Sequence, residues 1–369
     1  MLKRDFSASE ARVSLVVSAA TFAVALASPF IGLFADAIGR KRVIVPCLFA
    51  LAFTTLGCTL SHNLHQLILW RFLGGICTPG IIAVTLAYIS EEAHERATGS
   101  VTALYVTGTV VGGLVGRISS AIVADYRPWQ WSFGILTILT FLGAAAVAIL
   151  LPPSRRFERH TQWRQSFDAM RHHLTNPRLL ATYLIGFIIL FAHVGLFTYI
   201  NFHLAEPPFS LSTSQLGAIF LVYALGIVIT PLSGRLIDRF GHRAGLCVAV
   251  ALTVPGCLLT LLPNLPLIIF GIAIASSGVF VAQSSASSHI GRAADGARSV
   301  ASGLYVSCYY LGGSVGATAL AAPYHLGHWP AVVVSVILLQ LAALAITWRF
   351  FAAKPPSPPR SHELPLPLE

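Results

Sequence analysis

An aspartate followed by a run of bases occurs twice in this chain at matched spacing. "SPFIGLFADAIGRKR" occupies residues 28–42, and "TPLSGRLIDRFGHR" occupies residues 230–243. Pro29, Gly32, Asp36 and Gly39 each have a partner 202 residues downstream, in Pro231, Gly234, Asp238 and Gly241. Asp36 has Arg40 and Lys41 close behind it, and Asp238 has Arg239 and Arg243. A carboxylate so placed can accept charge-assisted hydrogen bonds from arginine, or sit at the positive end of a helix. That is the chemistry of a latch, a contact made and released. Gly39 and Gly241 suit a tight turn with positive φ, where a side chain would clash. The plainer reading is that these residues only anchor topology.

A second group of residues lies inside apolar runs. Arg71 and Arg117 are expected at membrane depth, where an unpaired charge costs a few kcal/mol. No Asp or Glu stands deep in any run to meet them. They are expected to line the outer half of a central cavity, where they could hold an anionic substrate or meet a carboxylate on a further helix; snorkelling to the interface or capping backbone carbonyls is the alternative. His193 sits mid-run and could carry a coupling proton, although a lone His in a span is more often a hydrogen-bonded packing residue. Tyr105, Gln283, Tyr309 and Tyr310 could contact substrate, or bond helix to helix. Metal or catalytic chemistry finds little support. His62, His65, His172 and His173 have no acidic partners at ligand spacing. The six cysteines lie in apolar runs without C-x-x-C pairs. No Gly-Lys-Ser phosphate loop appears. Neither an enzyme nor a cofactor is expected.

These residues must be positioned by elements suited to lipid. The chain has 369 residues, 55% hydrophobic and 10% charged, against roughly 25% charged in soluble domains. A bilayer core needs about 20 apolar residues in helix. Eleven candidate spans follow: 13–34, 43–60, 67–90, 100–124, 131–151, 179–202, 216–234, 244–262, 265–286, 299–322 and 329–351. The runs are continuously apolar, which excludes the alternation of a β-barrel. Net charge is +10, yet the bases lie in short gaps between runs and form no nucleic-acid-reading face. Of the 24 basic residues, 18 fall on one side, and only Lys3, Arg4, Arg12 and Arg127 on the other. The positive-inside rule makes the first side cytoplasmic. Both copies of the motif then face the cytoplasm, as does a Pro-rich tail, 353–369, expected to be disordered.

A six-arginine loop, 152–178, divides the chain into bundles at 1–151 and 179–352. A second echo links them: "LYVTGTVVGGLVG" (104–116) and "LYVSCYYLGGSVG" (304–316). In the first, Gly108, Gly112, Gly113 and Gly116 recur at three- and four-residue steps, as in helices whose backbones approach closely. The whole resembles the major facilitator superfamily over about 13–352. Gly32-x-x-x-Asp36-x-x-Gly39-Arg40-Lys41 is similar to that family's loop between its second and third helices. Arg71-x-x-x-Gly75 is similar to its fourth-helix arginine motif. The glycine series is similar to the fifth-helix motif of the twelve-helix drug and sugar efflux branch, with Leu114 where that branch usually has proline. The resemblance implies two parallel bundles and twelve helices. The run at 179–202 lacks a counterpart in the first half, so the first of the usual twelve is expected to be absent. A start codon placed too late, or a genuine eleven-span chain, would account for this.

The function expected from the resemblance is secondary transport of a small molecule by alternating access, as an exporter in the inner membrane. Proton coupling and a monomeric state are expected with it. The alternative is a non-transporting membrane protein on the same scaffold.

Overall fold

The computed structural model describes residues 5–92, 98–154, 163–294 and 298–351. The Pro-rich tail and most of the arginine-rich loop lie outside the described residues. The architecture is helical. α1 (Glu10–Ile38), α2 (Arg40–Thr59), α3 (Leu64–Glu92), α4 (Thr98–Tyr126) and α5 (Gln130–Leu150) form the first bundle. A short amphipathic helix, α6 (Trp163–His173), stands in the loop between the halves. The second bundle contains α7 (Pro177–Ala205), α8 (Thr213–Ile219), a 3₁₀ turn (Phe220–Ala224) and α9 (Leu225–Phe240). It continues with α10 (His242–Leu259), α11 (Leu265–Ala293), α12 (Arg298–Ala319) and α13 (Ala321–Phe350).

Local sequence sets the boundaries. Ser9 caps α1, its hydroxyl accepting from the Arg12 N–H at 3.4 Å. Asn176 caps α7, with Pro177 at the first helical position, where its absent N–H costs nothing. Ser212 and Gln215 form a capping box at α8. Gly39 closes α1 at φ 105° and Gly241 closes α9 at φ 86°, so each motif copy supplies the glycine that its helix-to-helix corner requires.

Ten of the described helical segments are long and apolar enough to cross a membrane, with 213–240 counted as one. The expected span at 299–322 is the exception. It forms α12, but its serines, glycines and tyrosines make it less apolar than the others. The reason is packing: α12 lies against α7 on one side and α1 on the other, and so needs less lipid-facing surface.

The halves repeat their neighbour relations. α1 packs on α3, α2 on α3, and α2 on α5; α9 packs on α11, α10 on α11, and α10 on α13 in the same way. Lipid offers helices no hydrophobic drive to associate, so close packing must hold them. Glycines provide it: a side chain at Gly75 would strike the Ala20 carbonyl, and one at Gly256 the backbone of Gly271 and Ala275. Between the halves, α1 lies along α12, and α4 lies against α8 and the 3₁₀ turn.

Candidate functional site

Two ends of the molecule are distinguished by the duplicated corners. At the motif end, Gly39 and Gly241 adopt the positive-φ geometry expected of them. Three of the basic residues there have contacts within their own half. Arg40 pairs with Glu91 of α3 at 2.6 Å. The Lys41 ammonium donates to the Leu151 carbonyl after α5. Arg243 lies 3.6 Å from the ring centre of Trp348 in α13. These contacts tie each corner to its own bundle. The side chain of Asp36 lies outside the described residues. Asp238 is exposed and lines a cavity of about 400 Å³ with Gly234, His242, Ser284, Ser287 and Ser288. A second cavity, of about 260 Å³, opens between α1, α3, α6 and α12, bordered by Gly32 and Arg40.

At the opposite, far end the two halves hold each other. Asp125, near the end of α4, accepts from the backbone N–H groups of Thr213 and Ser214 at 2.9 and 3.0 Å. Together with Ser212, which accepts from Gln215 N–H, it satisfies the opening N–H groups of α8, which a helix leaves unpaired. Glu10 and His325 approach to 3.6 Å, an ion pair when the imidazole is protonated. Deeper between α1 and α12, the Ser18 and Ser314 hydroxyls meet at 2.8 Å and reach each other's carbonyls.

Between these ends lies a cationic, aromatic centre. The Arg117 guanidinium of α4 crosses to the second half, 4.9 Å from the Phe220 ring centre and 5.2 Å from that of Tyr223. Tyr223 stacks on His193 of α7 at 5.0 Å. Phe197 and Phe280 complete the wall around His193 at 5.0 and 6.4 Å. Tyr309 of α12 is within electrostatic reach of Tyr223; it stacks on Tyr305 at 5.9 Å and meets Tyr310 edge-on at 5.6 Å. Arg117 and His193 therefore meet on Tyr223, while Tyr309 packs within the tyrosine cluster of α12.

The other sequence-level candidates divide. Arg71 is within electrostatic reach of Arg117 but stands in a separate cavity of about 190 Å³ between α1, α2 and α3, lined by Thr21, Thr54, Thr55 and Thr78. Its Nε–H donates to the Val16 carbonyl at 3.4 Å. Tyr105 donates its hydroxyl proton to the Ile82 carbonyl at 3.3 Å, joining α4 to α3. Gln283 is half-buried on α11, one turn beyond Phe280. The glycine series of α4 departs from expectation. A side chain at Gly108 or Gly112 would meet nothing within 4 Å; one at Gly113 would meet only Arg117, and one at Gly116 only Leu136. In the second half the matching face of α12 is covered: side chains at Gly312 and Gly316 would strike the backbone of α7 at Phe187 and Phe191. Among the described residues no helix holds α7's place in the first half.

Sequence reasoning missed Phe220 and Tyr223, which sit in an apolar run like any other. It also missed Asp125, Glu10 and His325. The capping box at Ser212 and Gln215 was readable in the sequence, but nothing in it marks Asp125 as the partner.

Two helical bundles joined around a shared polar centre define a multi-pass membrane carrier. The chain belongs to the Major Facilitator Superfamily, whose family model matches residues 1–210 and 204–368. It is 32% identical over 351 residues to the inner membrane transport protein YnfM of Escherichia coli, covering 95% of this chain and 84% of that protein. It is 31% identical over 342 residues to an uncharacterized MFS-type transporter, YybF, of Bacillus subtilis, covering 92% and 85%. Among solved structures it resembles a variant of the nucleoside transporter NupG, with TM-score 0.76 at 13% identity, covering 93% of this chain and 91% of that one. It also resembles a bacterial homolog of the human lysosomal transporter Spinster in an inward-facing, unoccupied conformation, with TM-score 0.71 at 17% identity, covering 94% and 90%. The family and these neighbours are transporters rather than enzymes.

Proposed function

We propose that this chain carries a small molecule across the inner membrane by alternating access, in the export direction and driven by a proton gradient. The observation that carries the reading is the asymmetry of the inter-bundle contacts. Asp125 clasps α8 and Glu10 meets His325 across the halves at the far end. At the motif end, Arg40, Lys41 and Arg243 hold partners in their own bundle, and α4 meets α9 only marginally. A two-bundle carrier that rocks about a central site needs one end closed while the other is parted. The bias of bases toward the motif end supports placing that end in the cytoplasm. The structure is then an inward-open state, with the chain acting as a monomer.

A cross-link tests this. Replacing Asp125→Cys and Thr213→Cys allows a disulfide that holds the far end shut. Flux into reconstituted vesicles is expected to cease on oxidation and to return on reduction. Undiminished flux with the cross-link complete would defeat the alternating-access reading. Flux that ignores an imposed pH gradient would remove the proton coupling alone.

A further inference from the structure

We propose that the exposed Arg117 and the aromatic wall beside it bind an organic anion, a single carboxylate carried on a flat aromatic body. This inference rests on the carrier reading and names the class of its cargo. Arg117 stands nine residues before the end of α4 at Tyr126, about 13 Å along a helix rising 1.5 Å per residue. That is beyond the reach of its side chain, so snorkelling does not explain it. The guanidinium instead turns toward the opposite bundle and lies over Phe220 and Tyr223.

Contact with ring faces is a cation–π attraction that uses none of the guanidinium N–H groups as hydrogen-bond donors, so they can still meet a carboxylate, which they match in bidentate fashion. Arg117 is exposed, and among the described residues its side chain donates no hydrogen bond to a protein acceptor. At the far end Glu10 meets His325 and Asp125 caps α8. A cation held at membrane depth calls for an anion, and among the described residues no carboxylate is paired with Arg117.

The surroundings refine the choice. Arg71 lines its own threonine-rich cavity and donates its Nε–H to Val16, so one guanidinium faces the aromatic wall. That suits a monoanion better than a phosphate ester. Phe197, Phe220, Tyr223 and Phe280 supply ring faces and edges, while His193 adds a fifth planar group stacked on Tyr223. Such a wall favours an aromatic body through offset and edge contacts, and a positive centre opposes cationic cargo.

The test compares 1-naphthoate with neutral 1-naphthamide by calorimetry on the purified full chain in detergent. Naphthoate is expected to bind at least about tenfold more tightly. Arg117→Gln is expected to abolish that preference while leaving naphthamide unchanged, and Arg117→Lys to restore part of it. Phe220→Leu is expected to weaken both ligands. Equal binding of the two ligands, no binding of naphthoate, or a folded Arg117→Gln protein that keeps the preference would each overturn the proposal. Counterflow in vesicles separates the two readings. Anion-selective binding without flux would sink the carrier reading and leave the anion site standing. Flux of other solutes without anion preference would do the reverse.

Discussion

Asp125 shows how much one carboxylate can do at a boundary between bundles. Its two oxygens take the N–H groups of Thr213 and Ser214, each a bond to a charged acceptor. Asp125→Ala is expected to cost the closed far end about 1–2 kcal/mol. That shifts its population by roughly 5–30-fold. Spin labels on the far ends of α4 and α8 would read this as a broadened, longer distance distribution. Gly39 and Gly241 have φ/ψ of 105°/146° and 86°/168°, a region open almost only to glycine. Either Gly→Ala change is expected to destabilise its bundle by about 1–3 kcal/mol, visible as a lowered Tm. The two glycines were legible because the repeat displayed them twice with the same neighbours. Asp125 was not, because its partners lie 88 and 89 residues away and nothing local distinguishes it from any polar span end. Phe220 and Tyr223 were hidden for a similar reason: "FLVYA" looks like lipid-facing sequence until the 3₁₀ turn presents it to Arg117.

Helix α12 and its counterpart α4 carry the same glycine phrase in different surroundings. On α12 the phrase is pressed against α7; on α4 it is bare at Gly108 and Gly112. Gly312→Ala should therefore force the Phe187 backbone away and lower the Tm. Gly112→Ala should be neutral or raise stability by up to about 1 kcal/mol, the ordinary helix preference for alanine. Equal losses in thermal melts of the two variants would contradict the packing described. The sequence announces that both segments are helices with small faces, since periodicity and glycine spacing are local properties. It does not announce which face is covered, because coverage depends on a third helix remote in the chain. The same limit explains α12's lower apolarity, which follows from protein on two sides, and the 3₁₀ break at Phe220–Ala224, which no proline or glycine marks.

At the scale of the whole molecule, the two-bundle plan was legible from the matched motifs and the placement of bases, both written twice. The contacts that couple the bundles were not, because each occurs once and joins residues far apart in the chain. One of them is the Glu10–His325 pair, 3.6 Å apart with the imidazole exposed. An exposed pair of this kind contributes about 0–1 kcal/mol. His325→Gln is therefore expected to loosen the far end only slightly, much less than Asp125→Ala. Distance measurements across α1 and α13 in the two variants would check it.

The clasp on α8 has one more consequence. The amide protons of Thr213 and Ser214 are shielded by a residue of the other bundle, so parting the far end uncovers them to water. Their deuterium uptake would then act as an unlabelled clock for the carrier's turnover, slow while the gate is shut and quickening with each excursion.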